Sequence, residues 1–424
     1  MFNEKLALST SATGKKWLGQ FTEPAEKKSA AALLDSLILL NEADIAEGIR
    51  AGVERLLESL PWPRRHIALY AEREFDSDLI YKSDLIANEN GGYRHRAMRY
   101  EAAVKPIRGG KRVGSEGGVA YIISQMVENN KLLKNHPNPT NIRAKSSPVR
   151  TIVVVADLIG TGTRVCKMLD MFWRVKSVKS WVSLHYIKFS VVAAAGTPDG
   201  LAAVRNHRLK PEIFVERIIP TINRWPNQII ADEWRALMQK HGPQSGRGGV
   251  DRNGFLSNSA LVAISSRIPN NTPAIIHKSA EKWKALYEGA APLDLKWHFR
   301  LQTEDDVVMR AAEVRGVILS KDLDIQDKKL VLLLTLPYAI LRGGKSEVIA
   351  DNLGLPVRDT ENIIEIAKNS ALLTKGGRVT DAGQEILAAN RRGAQTRPVA
   401  VGQKLPYYPT QLRVPRGGSS NASR

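Results

Sequence analysis

The segment from Thr151 to Arg164 constrains the fold of this chain more than any other. It reads Thr-Ile-Val-Val-Val-Ala-Asp-Leu-Ile-Gly-Thr-Gly-Thr-Arg. The β-branched run from Ile152 to Val155 is typical of a strand buried in a parallel sheet. Asp157 follows at the expected carboxyl end of that strand, where open α/β sheets bind ligands. The pattern predicts a strand, an anion-binding turn and a helix from Arg164.

The turn has the chemistry to bind a phosphate group. Gly160 and Gly162 let the backbone approach an anion closely, and Thr161 and Thr163 add hydroxyl donors. The amino end of the following helix points its free amides and the positive end of its dipole at the same place. A sugar phosphate fits such a loop, although the same glycines also serve an ordinary turn in an α/β domain.

Length and composition favour an intracellular protein with more than one domain. Of the 424 residues, 43% are hydrophobic, which is enough for two or more cores. The single cysteine, Cys166, excludes an internal disulfide and favours a reducing cytoplasm; we expect it to be a buried small residue. No apolar run approaches the ~20 residues of a membrane span, and residues 1–21 lack a signal peptide's apolar core. We expect a cytoplasmic protein that does not enter a membrane.

The formal net charge of +19 predicts attraction to a polyanion, and nucleic acid is the simplest candidate. Part of this charge is concentrated at the end of the chain. No acid follows Glu385, whereas seven lysines and arginines do. The plainer alternative is a solvated basic tail that only aids solubility.

Residues 329–392 have the pattern of a winged helix-turn-helix domain. The expected elements are a helix over 329–341, a helix over 347–353 capped by Ser346, a turn with Gly354 and Pro356, a helix over 358–371, two short β segments over 372–380 around a Gly-Gly hairpin, and a closing helix over 381–390. The helix over 358–371 is too acidic for a confident reader of the major groove. Winged helices bind proteins as well as nucleic acids, and both roles stay open.

The best candidates for phosphate contact in this domain are basic residues on the wing, on the preceding helix and in the tail. They are Lys368, Lys375, Arg378, Arg391 and Arg392. Recognition of phosphates needs charge and reach rather than a pattern of donors and acceptors for base edges.

Four segments together carry a family resemblance. They are Ile67–Phe75 (Ile-Ala-Leu-Tyr-Ala-Glu-Arg-Glu-Phe), Arg112–Gly117 (Arg-Val-Gly-Ser-Glu-Gly), the loop after Asp157, and Pro269–Pro273 (Pro-Asn-Asn-Thr-Pro) followed by Trp283. In this combination and order the chain resembles the phosphoribosyltransferase-like domains of bacterial conflict systems. The resemblance implies an α/β fold, with the parallel sheet of type I phosphoribosyltransferases followed by the winged helix-turn-helix domain.

We divide the chain accordingly. The predicted parts are a polar extension over 1–28, a phosphoribosyltransferase-like domain over 29–300, a charged connector over 301–328 that is helical around 304–315, the winged-helix domain over 329–392 and a basic tail over 393–424. The segment 88–113 is rich in Gly, Arg and Lys, and we expect it to form a mobile loop over an anionic site.

The resemblance also implies a set of site residues. In type I phosphoribosyltransferases two adjacent acids bind the ribose hydroxyls; here Asp157 stands at the second position and Ala156 at the first. Glu72 and Glu116 are further candidate catalytic acids or bases, and Glu116 could supply the acid that Ala156 does not. The ligand-binding candidates are Arg73, Ser115, Gly160, Thr161, Gly162 and Thr163. Plainer alternatives are a surface salt bridge from Arg73 to Asp76 or Asp78, and a helix cap at Ser115.

The implied ligand is phosphoribosyl pyrophosphate or a nucleotide. If Mg²⁺ is used, we expect ligand phosphates and water to hold it, because the usual pair of acids is incomplete. The eight histidines show no metal-ligand spacing, which argues against a structural zinc site. The chemistry stays open between transfer of a phosphoribosyl group and cleavage of a glycosidic bond.

The family resemblance implies a role in defence against phage. Some such proteins look like accessory effectors of retrons, partnered with a reverse transcriptase and its multicopy single-stranded DNA, and a homo-oligomer is compatible with this role. Two alternatives are a nucleotide-sensing transcription regulator without catalysis and a housekeeping phosphoribosyltransferase of base salvage. The incomplete acid pair and the winged helix argue against the latter.

Overall fold

The computed structural model describes residues 7–61, 66–73, 80–81, 83–87, 93–97, 115–243, 250–300, 304–320, 323–342 and 344–395. The amino-terminal half comprises a 3-10 turn at Leu8–Thr10, then α1 (Ala12–Leu18), α2 (Pro24–Asp35), β1 (Ile38–Leu40), α3 (Glu42–Ser59), β2 (His66–Ala71), β3 (Ser83–Ala87), β4 (Tyr93–Ala97), α4 (Ser115–Asn129), β5 (Leu133–Asn135), α5 (Pro139–Ile142), β6 (Val149–Ile159), α6 (Thr163–Arg174), α7 (Lys176–Ser183), β7 (Lys188–Gly196), α8 (Pro198–Arg205) and β8 (Glu212–Ile218).

After β8 come a 3-10 turn at Ile222–Arg224, α9 (Gln228–His241), β9 (Val250–Asp251), β10 (Gly254–Phe255), β11 (Val262–Ile264), α10 (Ala274–His277), α11 (Leu293–Arg300), α12 (Glu304–Val314), α13 (Ile325–Leu334), α14 (Tyr338–Leu341), α15 (Ser346–Leu353), α16 (Val357–Asn369) and α17 (Asp381–Gln395). None of these described helices combines the length and the apolar character needed to cross a membrane.

The central sheet has the strand order β5-β2-β6-β7-β8, and every pairing in it is parallel. The middle strand, β6, is buried along almost its whole length, which explains its β-branched sequence. Helices cover both faces and form separate apolar clusters with them. The expected α/β fold with a parallel sheet is therefore confirmed, and the carboxyl ends of β2 and β6 meet at one edge.

The predicted strand over 152–155 is longer than expected. It runs from Val149 to Ile159, because Leu158 and Ile159 still pair with Ala195 and Gly196 of β7. Asp157 consequently lies within the paired part of β6 rather than beyond the end of the strand. The helix expected from Arg164 begins one residue earlier, at Thr163.

The amino-terminal segment differs from the loose polar extension expected over 1–28. Leu8, Trp17 and Phe21 are buried in an apolar cluster with Trp234 and Trp283. The Nε1 atom of Trp17 also donates a hydrogen bond to the carbonyl of Ile275 (3.2 Å). The segment is polar in composition, but its few apolar residues share one side, and that side packs on the core.

The segment expected to form a mobile loop over 88–113 contains a strand. Residues Tyr93–Ala97 form β4, which pairs antiparallel with β3. The other residues of that segment lie outside the described part of the chain. The hairpin therefore connects β2 to α4, between two of the four segments that carry the family resemblance.

The winged-helix domain has the predicted order of helices, with differences at their ends and in the wing. Ser346 is the first residue of α15 rather than its cap, and the preceding Lys345 makes no side-chain cap hydrogen bond. The first helix begins at Ile325 instead of 329 and ends at Leu334 instead of 341. Pro337, which lacks an amide donor, precedes the short helix α14. The wing is a single antiparallel bridge between Leu373 and Val379 rather than two strands. Its tip is closed by hydrogen bonds from the amide of Gly377 to Thr374 (2.9 Å) and from that of Thr374 to Arg378 (2.8 Å).

Connections between the two domains are extensive. In the connector, which is helical as expected, Arg310 donates hydrogen bonds to the carbonyls of Asp35 (3.0 Å) and Leu37 (2.9 Å). Ala350 and Val357 of the winged-helix domain belong to the same apolar cluster as the central sheet. The winged helix is therefore packed on the α/β domain.

Candidate functional site

The turn from β6 to α6 has the geometry of an anion-binding loop. Gly162 caps α6 in the left-handed conformation (φ 76°), and a β-carbon there would lie 2.6 Å from the carbonyl oxygen of Gly200. The Oγ1 atoms of Thr161 and Thr163 are 2.9 Å apart. Thr197 fixes the turn from below, because its hydroxyl donates to the carbonyl of Gly160 (2.6 Å). Only glycine fits at position 162, and the loop presents the amino end of α6 as predicted.

Asp157 is buried at the same edge and forms an ion pair with Arg267. Its other carboxylate oxygen accepts a hydrogen bond from the amide of Leu158 (2.9 Å). Arg267 comes from the segment after β11, where its amide and carbonyl bond with those of Ile264 (both 2.9 Å). The only signal of Arg267 in the sequence is its place two residues before the Pro269–Pro273 motif.

Glu72 and Glu116 are brought together by an arginine of the loop helix. The Nε atom of Arg164 lies 2.8 Å from Oε1 of Glu72, and its Nη2 atom lies 3.7 Å from Oε2 of Glu116. Glu72 is buried, and its amide donates to the carbonyl of Val155 (2.7 Å). Sequence reasoning placed both acids near the pocket but assigned no role to Arg164, which pairs with both.

Arg73 is buried beside His136 rather than at the surface, and its proposed salt bridge stays a prediction. Burial, together with the charge of Arg73, lowers the pKa of His136 to about 4. The Nε2 atom of His136 accepts a hydrogen bond from the amide of Ala71 (2.9 Å), which requires the neutral ring. The alternative partners, Asp76 and Asp78, lie outside the described residues. Arg73 thus lies two residues beyond the carboxyl end of β2.

The Pro269–Pro273 motif closes the site over Gly160. A β-carbon at Gly160 would collide with the carboxamide of Asn271, so the glycine makes room for that side chain. Within the described part of the chain, the Nδ2 atom of Asn271 is buried and has no hydrogen-bond acceptor. An amide donor left in this position is available to a ligand oxygen. Trp283, in contrast, serves packing, since its Nε1 atom donates to the carbonyl of Ile275 (2.7 Å).

Ser115 and Cys166 remain to be placed. Ser115 is the first residue of α4, and its side chain is not described. Cys166 is half-buried rather than buried, and burial followed by the charge of Asp170 raises the pKa of its thiol. A raised pKa disfavours the thiolate, which argues against a nucleophilic role.

We use the name carboxyl-edge site for this group of residues: Glu72, Arg73, Glu116, Asp157, the loop 160–163, Arg164, Arg267 and Asn271. Its two ion-paired groups are separate, since Arg267 binds Asp157 and Arg164 binds both glutamates. The donor set does not fit a Mg²⁺ ion held by the protein, because Ala156 has no ligand atom and Asp157 already has a cationic partner. Among the described residues no cluster of three His, Cys, Asp or Glu side chains could hold a metal.

Four of the five candidate nucleic-acid residues of the winged-helix domain are exposed. They are Lys368, Lys375, Arg378 and Arg391. The guanidinium of Arg378 lies 5.3 Å from the ring centroid of Tyr338, and that of Arg342 lies 5.9 Å from it. Arg392 falls in α17, but its side chain is not described, and most of the basic tail lies outside the described residues.

Helix α16 of this domain faces the α/β domain with part of its surface. Val357 is buried there, and Glu361 lies 3.7 Å from Arg55 of α3. On the preceding helix α15, Glu347 lies 3.5 Å from Arg205. The acidic residue Glu361 thus has a protein partner, which explains one of the acids that made this helix a poor candidate for the major groove.

Comparison with known proteins identifies both parts of the chain. A family model described as PRTase-CE matches residues 15–288, and a model described as wHTH-PRTase associated matches residues 334–414. Comparison with the curated proteins and with the solved structures finds no match. The first match begins inside the segment we had expected to be a separate extension, in agreement with the burial of Trp17.

Proposed function

Because the chain belongs to the PRTase-CE family, we propose that it is a phosphoribosyltransferase-like effector of a bacterial anti-phage system, and that its carboxyl-edge site binds a phosphorylated ribose or a nucleotide. One observation gives the strongest support for this ligand. A glycine-capped helix terminus, a buried aspartate and three arginines lie at the carboxyl edge of a parallel sheet. This is the chemistry that binds phosphates and sugar hydroxyls.

In this proposal each group has a task. The loop 160–163 binds the 5′-phosphate through its amides and hydroxyls, and Asn271 adds a donor at Gly160. Arg267 leaves Asp157 when the ribose arrives, so that the carboxylate accepts hydrogen bonds from the sugar hydroxyls and the guanidinium turns to the phosphates. Mg²⁺, if present, is brought by the ligand phosphates and supplies charge neutralisation there.

The reaction class follows from the acids that flank the loop. Loss of a base or a diphosphate from C1′ of ribose develops positive charge on the sugar ring, which nearby carboxylates stabilise. Glu72 and Glu116 share Arg164, so either can turn towards the sugar when the phosphate competes for that arginine. Transfer to an acceptor and hydrolysis by water both proceed through this state.

The site is tested by Asp157→Asn in the native host under phage challenge. We expect the variant to lose protection, since the amide cannot accept both sugar hydroxyls. The protein should still accumulate, because the side chain of Arg267 is 35% exposed and can turn to water when its partner is lost. Asp170→Asn is the matched control: this aspartate lies at the far end of α6, where it pairs with His207 (3.2 Å) and Arg208 (3.4 Å). Full protection by Asp157→Asn would remove the site from the account.

For the carboxyl-terminal part we propose docking on nucleic acid, with a retron's multicopy single-stranded DNA and its reverse transcriptase as partners. The exposure of Lys368, Lys375 and Arg378 supports phosphate contact by this domain. Purification from the native host, followed by identification of co-purifying protein and DNA, tests this. Recovery of neither a reverse transcriptase nor nucleic acid would refute it.

A second candidate function is a nucleotide-sensing regulator without catalysis. It is favoured by the contact of α15 and α16 with the α/β domain, through which ligand binding could move the winged helix. This hypothesis predicts that the protein binds one duplex operator, that its affinity for the operator changes when the nucleotide is bound, and that the nucleotide is not turned over. Operator binding that is insensitive to ligand would exclude it.

A further inference from the structure

Nearly half of the net charge of the chain comes from one short region, and of its basic residues the proposed function uses only Arg164. Residues 131–188 contain eleven lysines and arginines but only two acids, Asp157 and Asp170. Both acids already have partners: Asp157 pairs with Arg267 inside the carboxyl-edge site, and Asp170 with His207 and Arg208. The region therefore presents an excess of positive charge.

Apart from Arg164 and Lys167 in the first turns of α6, these basic residues lie towards the opposite edge of the sheet from the carboxyl-edge site. Strand β6 begins at Val149 and β7 at Lys188, and the two strands are parallel, so their amino ends share an edge. Helix α6 runs back from the phosphate loop to this edge and ends at Arg174, where α7 follows. A ligand held by Asp157 cannot reach these residues, which need a separate explanation.

The basic side chains at this edge are interleaved with aromatic rings. The guanidinium carbons of Arg143 and Arg150 each lie 3.7 Å from the ring centroid of Tyr186, and Arg143 also lies 5.9 Å from that of Trp181. Since two groups cannot occupy one face of a ring at that distance, the two arginines cover its two faces. On α7, Lys179 lies 5.3 Å from the ring centroid of Trp173. We call these six residues the amino-edge patch.

The positive groups of the patch are held together without a carboxylate among them. Within the described residues, no salt bridge involves Arg143, Arg150 or Lys179. Arg143 and Lys179 are exposed, and the hydrogen bond from Arg150 goes to the neutral carbonyl of Tyr186 (3.2 Å). Like charges fixed close together attract a polyanion strongly.

We propose that the amino-edge patch binds single-stranded nucleic acid, on a surface distinct from the winged helix. A guanidinium that stacks on a tyrosine with one face offers its other face to a nucleobase, while its N–H groups reach the phosphates. Unpaired bases can stack in this way, whereas paired bases in a duplex cannot. The combination of planar cations and aromatic rings therefore favours a single strand over a duplex or an acidic protein.

The test uses the full chain and a fluorescent oligothymidine of about 20 nucleotides, whose binding is followed by fluorescence anisotropy over a series of salt concentrations. The charge-removing variant is Arg143→Ala with Lys179→Ala. We expect its affinity to fall at least about tenfold and its log-log salt slope to become shallower by about 1.4, since each lost phosphate contact removes about 0.7. The melting temperature reports whether the fold survives.

Two further variants are controls. One tests whether the position of the lost charges matters, and the other tests whether stacking contributes beyond charge. Lys282→Ala with Lys296→Ala removes the same charge from exposed positions outside the patch, and we expect little change. Arg143→Lys with Arg150→Lys keeps the charge but loses the planar groups, so affinity should fall while the salt slope stays as in the wild type. Equal affinities and slopes for the Arg143/Lys179 and Lys282/Lys296 variants would overturn the proposal. An unchanged affinity in the lysine variant would overturn the stacking contribution.

Discussion

The carboxyl-edge site and the wing of the winged-helix domain use positive charge in opposite ways. In the site, Arg164 and Arg267 are paired with buried carboxylates at the end of a rigid parallel sheet. On the wing, Lys375 and Arg378 are exposed, and the guanidinium of Arg378 lies 5.3 Å from the ring centroid of Tyr338. Paired, buried charges preorganise a pocket for one small ligand, whereas exposed charges suit a long polyanion.

This difference makes the two regions sensitive to different perturbations. Loss of one member of a pair affects folding as well as binding when the charge left behind stays buried, and affects mainly binding when that charge can turn to water. Loss of an exposed charge affects attraction to a polyanion and leaves the fold almost unchanged. The predictions below test this contrast, in order of decreasing effect.

The largest effect is expected at Lys329, which shows that the interior of the winged-helix domain also relies on paired charge. Its ammonium is buried and binds Glu304 and Asp359, the latter at 2.8 Å. Burial alone would lower its pKa, but these hydrogen bonds outweigh burial and raise it. We expect Lys329→Met to reduce the free energy of unfolding by about 3–5 kcal/mol, measured by urea denaturation. A loss below that of a surface lysine such as Lys345→Met would contradict the buried role.

The next effect is a pH dependence from His136 near the carboxyl-edge site. Its folded-state pKa is about 4, below the ordinary value of 6.5, so the folded state favours the neutral ring. Its contribution is fully present above pH 6.5 and is lost as the pH falls towards 4. The change amounts to about 3 kcal/mol.

This contribution is measured as the free energy of unfolding against pH in the wild type and in His136→Gln. Glutamine can still accept the hydrogen bond from Ala71 but does not titrate. The wild-type curve should fall more steeply than that of the variant across this range. Parallel curves would mean that His136 is not held neutral by its surroundings.

A smaller loss of stability, with complete loss of phosphate binding, is expected for Gly162→Val. The left-handed backbone strains any β-branched residue by about 1–3 kcal/mol, and the side chain would meet the carbonyl of Gly200. The matched control is Gly118→Ala in α4, where nothing lies within 4 Å of the added carbon. The control should be neutral or more stable by up to about 1 kcal/mol. Equal melting temperatures for the two variants would show that position 162 does not require glycine.

The smallest effect on stability is expected on the wing. Lys375→Ala and Arg378→Ala should each change the free energy of unfolding by less than about 0.5 kcal/mol. Each should also flatten the log-log salt slope of binding to single-stranded DNA by about 0.7. A titration of labelled oligonucleotide at several salt concentrations gives the slope, and thermal unfolding gives the stability. Variants that keep the wild-type slope would remove the wing from the nucleic-acid surface.

The sequence was sufficient for features that depend on local pattern. The β-branched run before Asp157, the two glycines after it and the helix beyond predicted the central strand and the loop. They could not predict Arg267, because it binds Asp157 from a position 110 residues further along the chain. Arg164 was visible but was treated only as the start of a helix, since its partners lie on β2 and α4.

Composition misled where a few residues decide the structure. Residues 1–28 are polar on average, yet Trp17 and Phe21 pack in the core. The basic tail is the plainest concentration of positive charge in the sequence, but residues 131–188 contribute more net charge. Their basic residues are spread over several strands and helices, so they do not form a run in the sequence. Pro337 shortened the first helix of the winged domain, a break that the apolar run before it concealed.

The central claim is that the carboxyl-edge site binds a phosphorylated ribose through Asp157 and the loop 160–163. Isothermal titration of the full chain with phosphoribosyl pyrophosphate tests it most directly, with wild type, Asp157→Asn and Asp170→Asn compared with and without Mg²⁺. We predict saturable binding by the wild type and the Asp170 variant, and affinity at least about tenfold lower for Asp157→Asn, a loss of about 1.4 kcal/mol. Equal affinity of the wild type and Asp157→Asn would contradict the account.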